Sequence, residues 1–171
     1  MGKGIVGLLG ASFSLREGQE PNPSNLQVAS EVYRIYKELR DEDYKVWIVL
    51  QWEVAVAWRQ LGYPEGLITA EIGQLPNGDY LGTREVYDEA REIFEQMGVA
   101  YFVGVAKFFI HQPYLYWLAR KDFRLIWKRT RGVKFDRQSD QWWCRGPLRL
   151  ILYTLRALTG AHGYNGKQAK A

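Results

Sequence analysis

Cysteine, histidine and long apolar runs are all scarce in this chain. One cysteine, Cys144, in 171 residues excludes an intrachain disulfide and a cysteine-based metal site within one chain. It fits a reducing compartment, and a cytoplasmic location is expected. The two histidines, His111 and His162, lie far apart and lack ligand spacing, so no metal site is expected. No apolar stretch approaches the roughly 20 residues that cross a bilayer, so neither a membrane span nor an anchor is expected. Met1-Gly2-Lys3 followed by Ile5 to Leu9 has the outline of a signal peptide. The run is short, broken by Gly7 and Gly10, and followed by Arg16 and Glu17, so it reads as a first strand. The myristoylation pattern fails because Val6 stands where Ser or Thr is required.

What the chain does contain is ordinary bulk and unusual aromaticity. Apolar residues reach 47% and charged residues 25%, enough for one soluble domain with a sizeable core. Residues 1–160 are expected to form that domain and 161–171 a flexible tail. Aromatics at 15%, with seven Trp and eleven Tyr, fit a thick core, a stacking surface or an interface between subunits. The net charge of +4 is local: residues 120–137 carry +6 and the remainder −2.

A strand-loop-helix unit recurs about five times. Stretches at 4–9, 45–50, 67–72 and 99–106 read as strands, with a weaker edge strand at 123–127. Between them, 3.6-residue stripes mark helices. The first carries Ala29, Val32, Tyr33, Tyr36 and Leu39, opened by a Ser24/Gln27 capping box. Val54, Ala57, Trp58 and Leu61 form the second, stopped by Gly62. Val86, Ala90, Ile93 and Met97 form the third, capped by Thr83 and stopped by Gly98. Pro76-Asn77-Gly78 marks a turn between the third strand and the third helix. A short aromatic helix is expected over 114–120. A final helix opening at Pro147 is expected to bury Leu148, Ile151, Leu152, Leu155 and Leu158, with Arg149 and Arg156 opposite. Such alternation predicts an α/β fold: a three-layer Rossmann-like domain with a mostly parallel sheet of about five strands. Ligands of such sheets bind at the carboxyl ends of the strands.

Candidate chemistry therefore lies at the junctions after the strands. At Gly82-Thr83-Arg84-Glu85, a helix N-terminus with an added guanidinium suits an anion, or Thr83 simply caps. Gly10-Ala11-Ser12 offers backbone N–H groups to a phosphate, or only a tight turn. It is not a dinucleotide fingerprint, because Gly4, Gly7 and Gly10 lie in or at the end of a strand. Glu53, after the second strand, suits a base or ribose ligand, or complements a helix dipole. His111, with Lys107 nearby, suits an acid/base with Ser12 or Glu53 as partner, or a structural hydrogen bond. Cys144 beside Arg145 is a nucleophile or a packed thiol. The basic segment 120–137, with Phe123, Trp127 and Phe135 interleaved, suits nucleic acid or a solvated edge. In a third reading, Arg129 and Arg131 curl over the pocket and neutralise an anionic ligand.

The order of these parts resembles the YdcF-like family, which includes the SanA and ElyC type proteins. The resemblance rests on Ala29-Ser30-Glu31-Val32-Tyr33 in the first helix and Thr83-Arg84-Glu85 before the fourth strand. His111 after that strand and Gln141-Trp142-Trp143-Cys144-Arg145 before the last helix complete it. It extends over about residues 4–158 as pattern. The chain departs from it at Gln51-Trp52-Glu53, where the family has Ser-Gly-Gly, and at Gly82 and Val86, where an Asn commonly flanks the Thr element. Pro113-Tyr114 also stands where an Arg-Ala pair follows the family's His. The resemblance implies a Rossmann-like fold and a nucleotide-like or phosphorylated ligand.

The expected function is binding of a small anionic ligand, nucleotide-like or phosphorylated. Ser12 and Arg16 would form one wall, Thr83 and Arg84 would hold the anion, and Lys107 and His111 would lie opposite. Arg129 and Arg131 would close over it. Enzymatic action would be transferase or hydrolase chemistry, with His111 and Glu53 as the catalytic pair; no particular cofactor is indicated. The alternatives are a nucleic-acid-binding module using 120–137 and a protein-interaction scaffold, with an aromatic oligomer interface.

Overall fold

The computed structural model describes residues 2–16, 18, 21–73 and 81–158. The turn 76–78 and the tail 161–171, with His162, lie outside the described residues. Five strands form one sheet in the order β3-β2-β1-β4-β5. They are β1 (Ile5–Gly10), β2 (Lys45–Gln51), β3 (Ile68–Ile72), β4 (Tyr101–Val105) and β5 (Arg124–Leu125). All four pairings are parallel. The crossovers are α1 (Pro23–Asp41), α2 (Trp52–Gln60), α3 (Thr83–Gln96) and α4 (His111–Ala119), and α5 (Pro147–Leu158) closes the described chain.

Strand alternation divides the core into two halves. Leu8, Ile48, Leu50, Val103 and Val105 face α1 and α2, where Val28, Val32, Ile35, Val54 and Trp58 meet them. Leu9, Val49 and Phe102 face α3 and α4, against Val86, Ala90, Phe94 and Leu115. Being covered on both faces is why these strands are continuous apolar runs. It also explains the glycines of β1. A Cβ at Gly7 would lie 2.8 Å from the Phe94 ring, and one at Gly10 would lie 2.7 Å from Leu50 and 2.9 Å from Val32. These two glycines let helices approach the sheet.

Four local expectations are corrected. The cap of α1 is Asn22, whose Oδ1 accepts from Asn25 N–H at 2.9 Å, with Pro23 pre-set at the first helical position. Ser24 instead donates to the Lys134 carbonyl at 3.0 Å. Gly82, not Thr83, is the N-cap of α3; glycine takes the extended cap conformation and Thr83 enters the helix. α4 starts at His111, three residues before the expected start, because Pro113 falls in the first turn, where its missing N–H costs nothing. The largest correction concerns α5. Leu148, Leu152 and Leu155 are 75%, 54% and 54% exposed, whereas Leu150 is fully buried. The helix presents its Leu150 and Tyr153 side inward, and Trp143 stacks on Tyr153 at 4.5 Å.

Candidate functional site

Strand order reverses between β1 and β4, which makes their carboxyl ends the expected ligand crevice. That crevice is filled. The chain leaving β1 stays on the sheet through Ala11 N–H to the Val105 carbonyl, 2.9 Å. Ser12 N–H then donates to Gln51 Oε1, and Phe13 N–H to Asn25 Oδ1, both at 2.9 Å. These three N–H groups are thus engaged within the fold rather than free for a phosphate. Phe13 is fully buried, and the rings of His111 and Phe135 meet it edge-on at 5.2 and 5.8 Å. Ser14 is forced to φ 81°, a costly region for a residue with a Cβ. Its carbonyl is held there by the amides of Asn22 and Asn25, at 3.0 and 3.2 Å.

The lid of the crevice is the segment 126–146. Gln112 anchors its first part: Nε2 donates to the carbonyls of Gly104 and Lys128, and Oε1 accepts from Thr130 N–H at 3.1 Å. α1 holds the middle. Glu31 accepts from Arg131 N–H at 2.7 Å, and Gln27 from Lys134 N–H at 2.7 Å. Asp136 secures the end, accepting two hydrogen bonds from Arg16, at 2.7 and 2.5 Å, and one from Ser14 Oγ at 3.0 Å. The basic stretch is therefore a strap tied across the carboxyl edge.

Electrostatics at this edge follow from burial. Desolvation lowers the His111 pKa to about 4, and the Lys107 charge adds to the effect. Lys107 is itself pushed down by burial; its Nζ donates to the Val133 carbonyl and sits 4.2 Å from the Phe135 ring centroid. Burial pushes the Cys144 thiol up, which suits packing rather than nucleophilic chemistry. Burial alone would raise Asp136 too. Hydrogen bonds from Arg16, Gln138 N–H and Ser14 outweigh it, and the net shift is downward.

Open space lies outside the crevice. A groove of about 430 Å³ is lined by Lys107, Phe108, Arg129, Thr130, Arg131, Gly132 and Val133. Arg129 stacks on Phe108 at 4.3 Å. Thr130 is 3% exposed, and its buried hydroxyl has no hydrogen-bond partner among the described residues. A second groove, about 230 Å³, runs between α3 and α4 and includes Arg84, Asp88, Arg91, Trp117 and Arg120. Hydrogen bonding to Tyr114 raises the Arg84 pKa.

The expected site residues thus divide. Lys107, Arg129 and Arg131 share the first groove, and Arg84 lines the second. Arg16 pairs with Asp136, and Ser12 is buried below the strap. Glu53 is fully buried in the first turn of α2, where the helix dipole favours a carboxylate. Thr83 starts α3 with no side-chain cap on that helix. His111 borders Phe13 and lines neither groove. Among the described residues, no three His, Cys, Asp or Glu side chains gather as a metal site. The aromatics of the basic segment divide as well: Phe123 is 8% exposed and joins the core, Phe135 packs on Phe13, and Trp127 is 51% exposed.

Three residues of this edge escape pattern reading. Thr130 and Phe108 belong to no motif, and the role of Gln112 depends on a strap that only the fold assembles. Two asparagines around Pro23, at 22 and 25, are the one local signal that the loop after β1 is pinned. No family model matches the chain, and no curated protein and no solved structure matches it.

Proposed function

We propose that this chain binds a small anionic ligand, a nucleotide or phosphorylated metabolite, in the groove bordered by Lys107, Arg129 and Arg131. The observation that carries the reading is their convergence at the carboxyl end of β4, beside the buried Thr130 hydroxyl, which is unpartnered among the described residues. A buried hydroxyl without a partner carries a desolvation cost of about 1–3 kcal/mol, which a phosphate oxygen reaching it through a small shift of the strap would relieve. The groove volume, about 430 Å³, falls within the range of about 300–1,000 Å³ usual for small-molecule sites. On this proposal the chain is a divergent relative of the YdcF-like type, with the ligand moved outward from the filled crevice. A His111 pKa of about 4 is a poor match to proton transfer near neutrality, so binding is favoured over transferase or hydrolase chemistry.

A polynucleotide is the second reading, favoured by the half-exposed Trp127 within the basic segment 120–137 and the half-exposed Trp117 in a groove with Arg120 and Lys121. Thermal unfolding with pyrophosphate, nucleoside diphosphates and single-stranded oligonucleotides separates the two. A mononucleotide at about 100 times its dissociation constant should add about 2.7 kcal/mol. Arg129→Ala with Arg131→Ala should abolish that gain. Stabilisation that survives the double variant, or none with any phosphate compound, removes the groove as the site. Binding confined to oligonucleotides and falling steeply with salt selects the second reading.

A further inference from the structure

The exposed face of α5 has a composition that its surroundings do not use. At about 100° per residue, Leu148, Leu152 and Leu155 fall within an arc of about 60°. Arg149 and Arg156 border one side of that arc. The inward side is accounted for by the buried Leu150 and by Tyr153 on Trp143. The outward leucines, 75%, 54% and 54% exposed, have no such account. From Gln141 to Ala171 the chain contains Arg145, Arg149, Arg156, Lys167 and Lys170, and neither Asp nor Glu.

We infer that α5 is a docking surface for an anionic lipid membrane, lying in the interface plane with its three leucines in the acyl boundary and its arginines at the headgroups. Charge complementarity selects this occupant. An apolar stripe bordered along one side by two cations matches a surface whose inner layer is apolar and whose outer layer is negative. A second copy docked stripe to stripe in an antiparallel two-fold would bring Arg149 and Arg156 against like charges. The helix has 12 residues, about 18 Å at 1.5 Å per residue, too short to cross a bilayer of about 30 Å. Among the described residues no helix is long and apolar enough to cross, so the contact is one of lying on the surface.

The test is co-sedimentation of the full chain with phosphatidylcholine vesicles with and without phosphatidylglycerol. Pelleting should require phosphatidylglycerol and fall as salt rises. Leu152→Ser with Leu155→Ser should weaken it by at least about tenfold, since each buried CH₂ contributes about 0.8 kcal/mol. These leucines are exposed, so circular dichroism and the unfolding midpoint should stay at wild-type values. As a second variant that leaves the leucines intact, Arg149→Gln with Arg156→Gln should weaken binding to phosphatidylglycerol vesicles alone. Absence of phosphatidylglycerol-dependent pelleting overturns the inference, as does pelleting indifferent to both variants. A dimer that dissociates in the leucine variant without vesicle binding overturns it as well, in favour of a second copy.

Discussion

Two parts of the same sheet edge solve opposite problems. At the β1–β4 junction, where α/β sheets usually receive ligands, backbone donors are engaged and an aromatic ring fills the space. A few residues further out, Lys107, Arg129 and Arg131 surround open volume beside a hydroxyl that is unpartnered among the described residues. Topology supplies the crevice, and the side chain of residue 13 decides whether it stays empty. A phenylalanine there, covered by Phe135, turns the usual site into core and leaves the open volume at this edge to the strap that covers it.

The largest effect on this contrast should come from Asp136→Ala. Its carboxylate is almost fully buried against Arg16 and Ser14, and removing one partner of a buried pair costs about 3–5 kcal/mol. Urea unfolding should register that loss, and limited proteolysis should begin to cut within 126–146. A cost below 1 kcal/mol would mean the strap is not tied there.

Acid tests the filled side next. His111 is lowered from 6.5 to about 4, so between those values the unfolded chain binds more protons than the folded one. Stability should be full above about pH 6.5 and fall as the pH drops toward 4, by up to about 3 kcal/mol. His111→Gln should flatten the profile over that window. The Asp136 contribution, from a pKa held below the ordinary carboxylate value, should disappear only at lower pH. A flat wild-type profile would show that water reaches the ring.

Gly10→Ala asks whether the first loop serves packing or phosphate. The new Cβ would meet Leu50 and Val32, and overpacking of this kind costs about 1–3 kcal/mol. Pyrophosphate binding by the folded variant, followed by calorimetry, should be unchanged. The smallest effect on stability should be that of Arg129→Ala with Arg131→Ala, within about 0.5 kcal/mol. The ties of those residues to α1 run through their backbone, Arg131 N–H to Glu31 and the Arg129 carbonyl to Arg34, and survive the substitution. Only anion binding should be lost.

The fold was legible because hydrophobic period and strand burial are local properties. The runs at 46–50 and 67–72 needed only their own residues to be recognised. Helix starts were less legible, because Ser24 and Asn22 are both good caps and Pro23 decides between them. The candidate site was half legible. Lys107, Arg129 and Arg131 carry a charge pattern, and they share one groove. That Arg16 is paired and Phe13 fills the crevice depends on Asp136 and Phe135, more than 100 residues away, and no window along the chain contains both. The stripe of α5 was visible as a period, but period alone does not say which face turns inward; Trp143 and Tyr153 make that choice.

The Asp136 tie has a consequence for how the molecule is made. Its bonds to Ser14 and Arg16 close loops of 122 and 120 residues, and contacts so distant in sequence form late because chain entropy opposes their closure. On the ribosome β1 emerges before the other four strands, yet the ring that covers Phe13 and the carboxylate that meets Arg16 are synthesised only after all five strands. Between the completion of β4 at Val105 and the synthesis of Phe135, 30 residues later, the nascent protein must therefore carry an open apolar crevice at the centre of its sheet, a natural place for a chaperone to hold it.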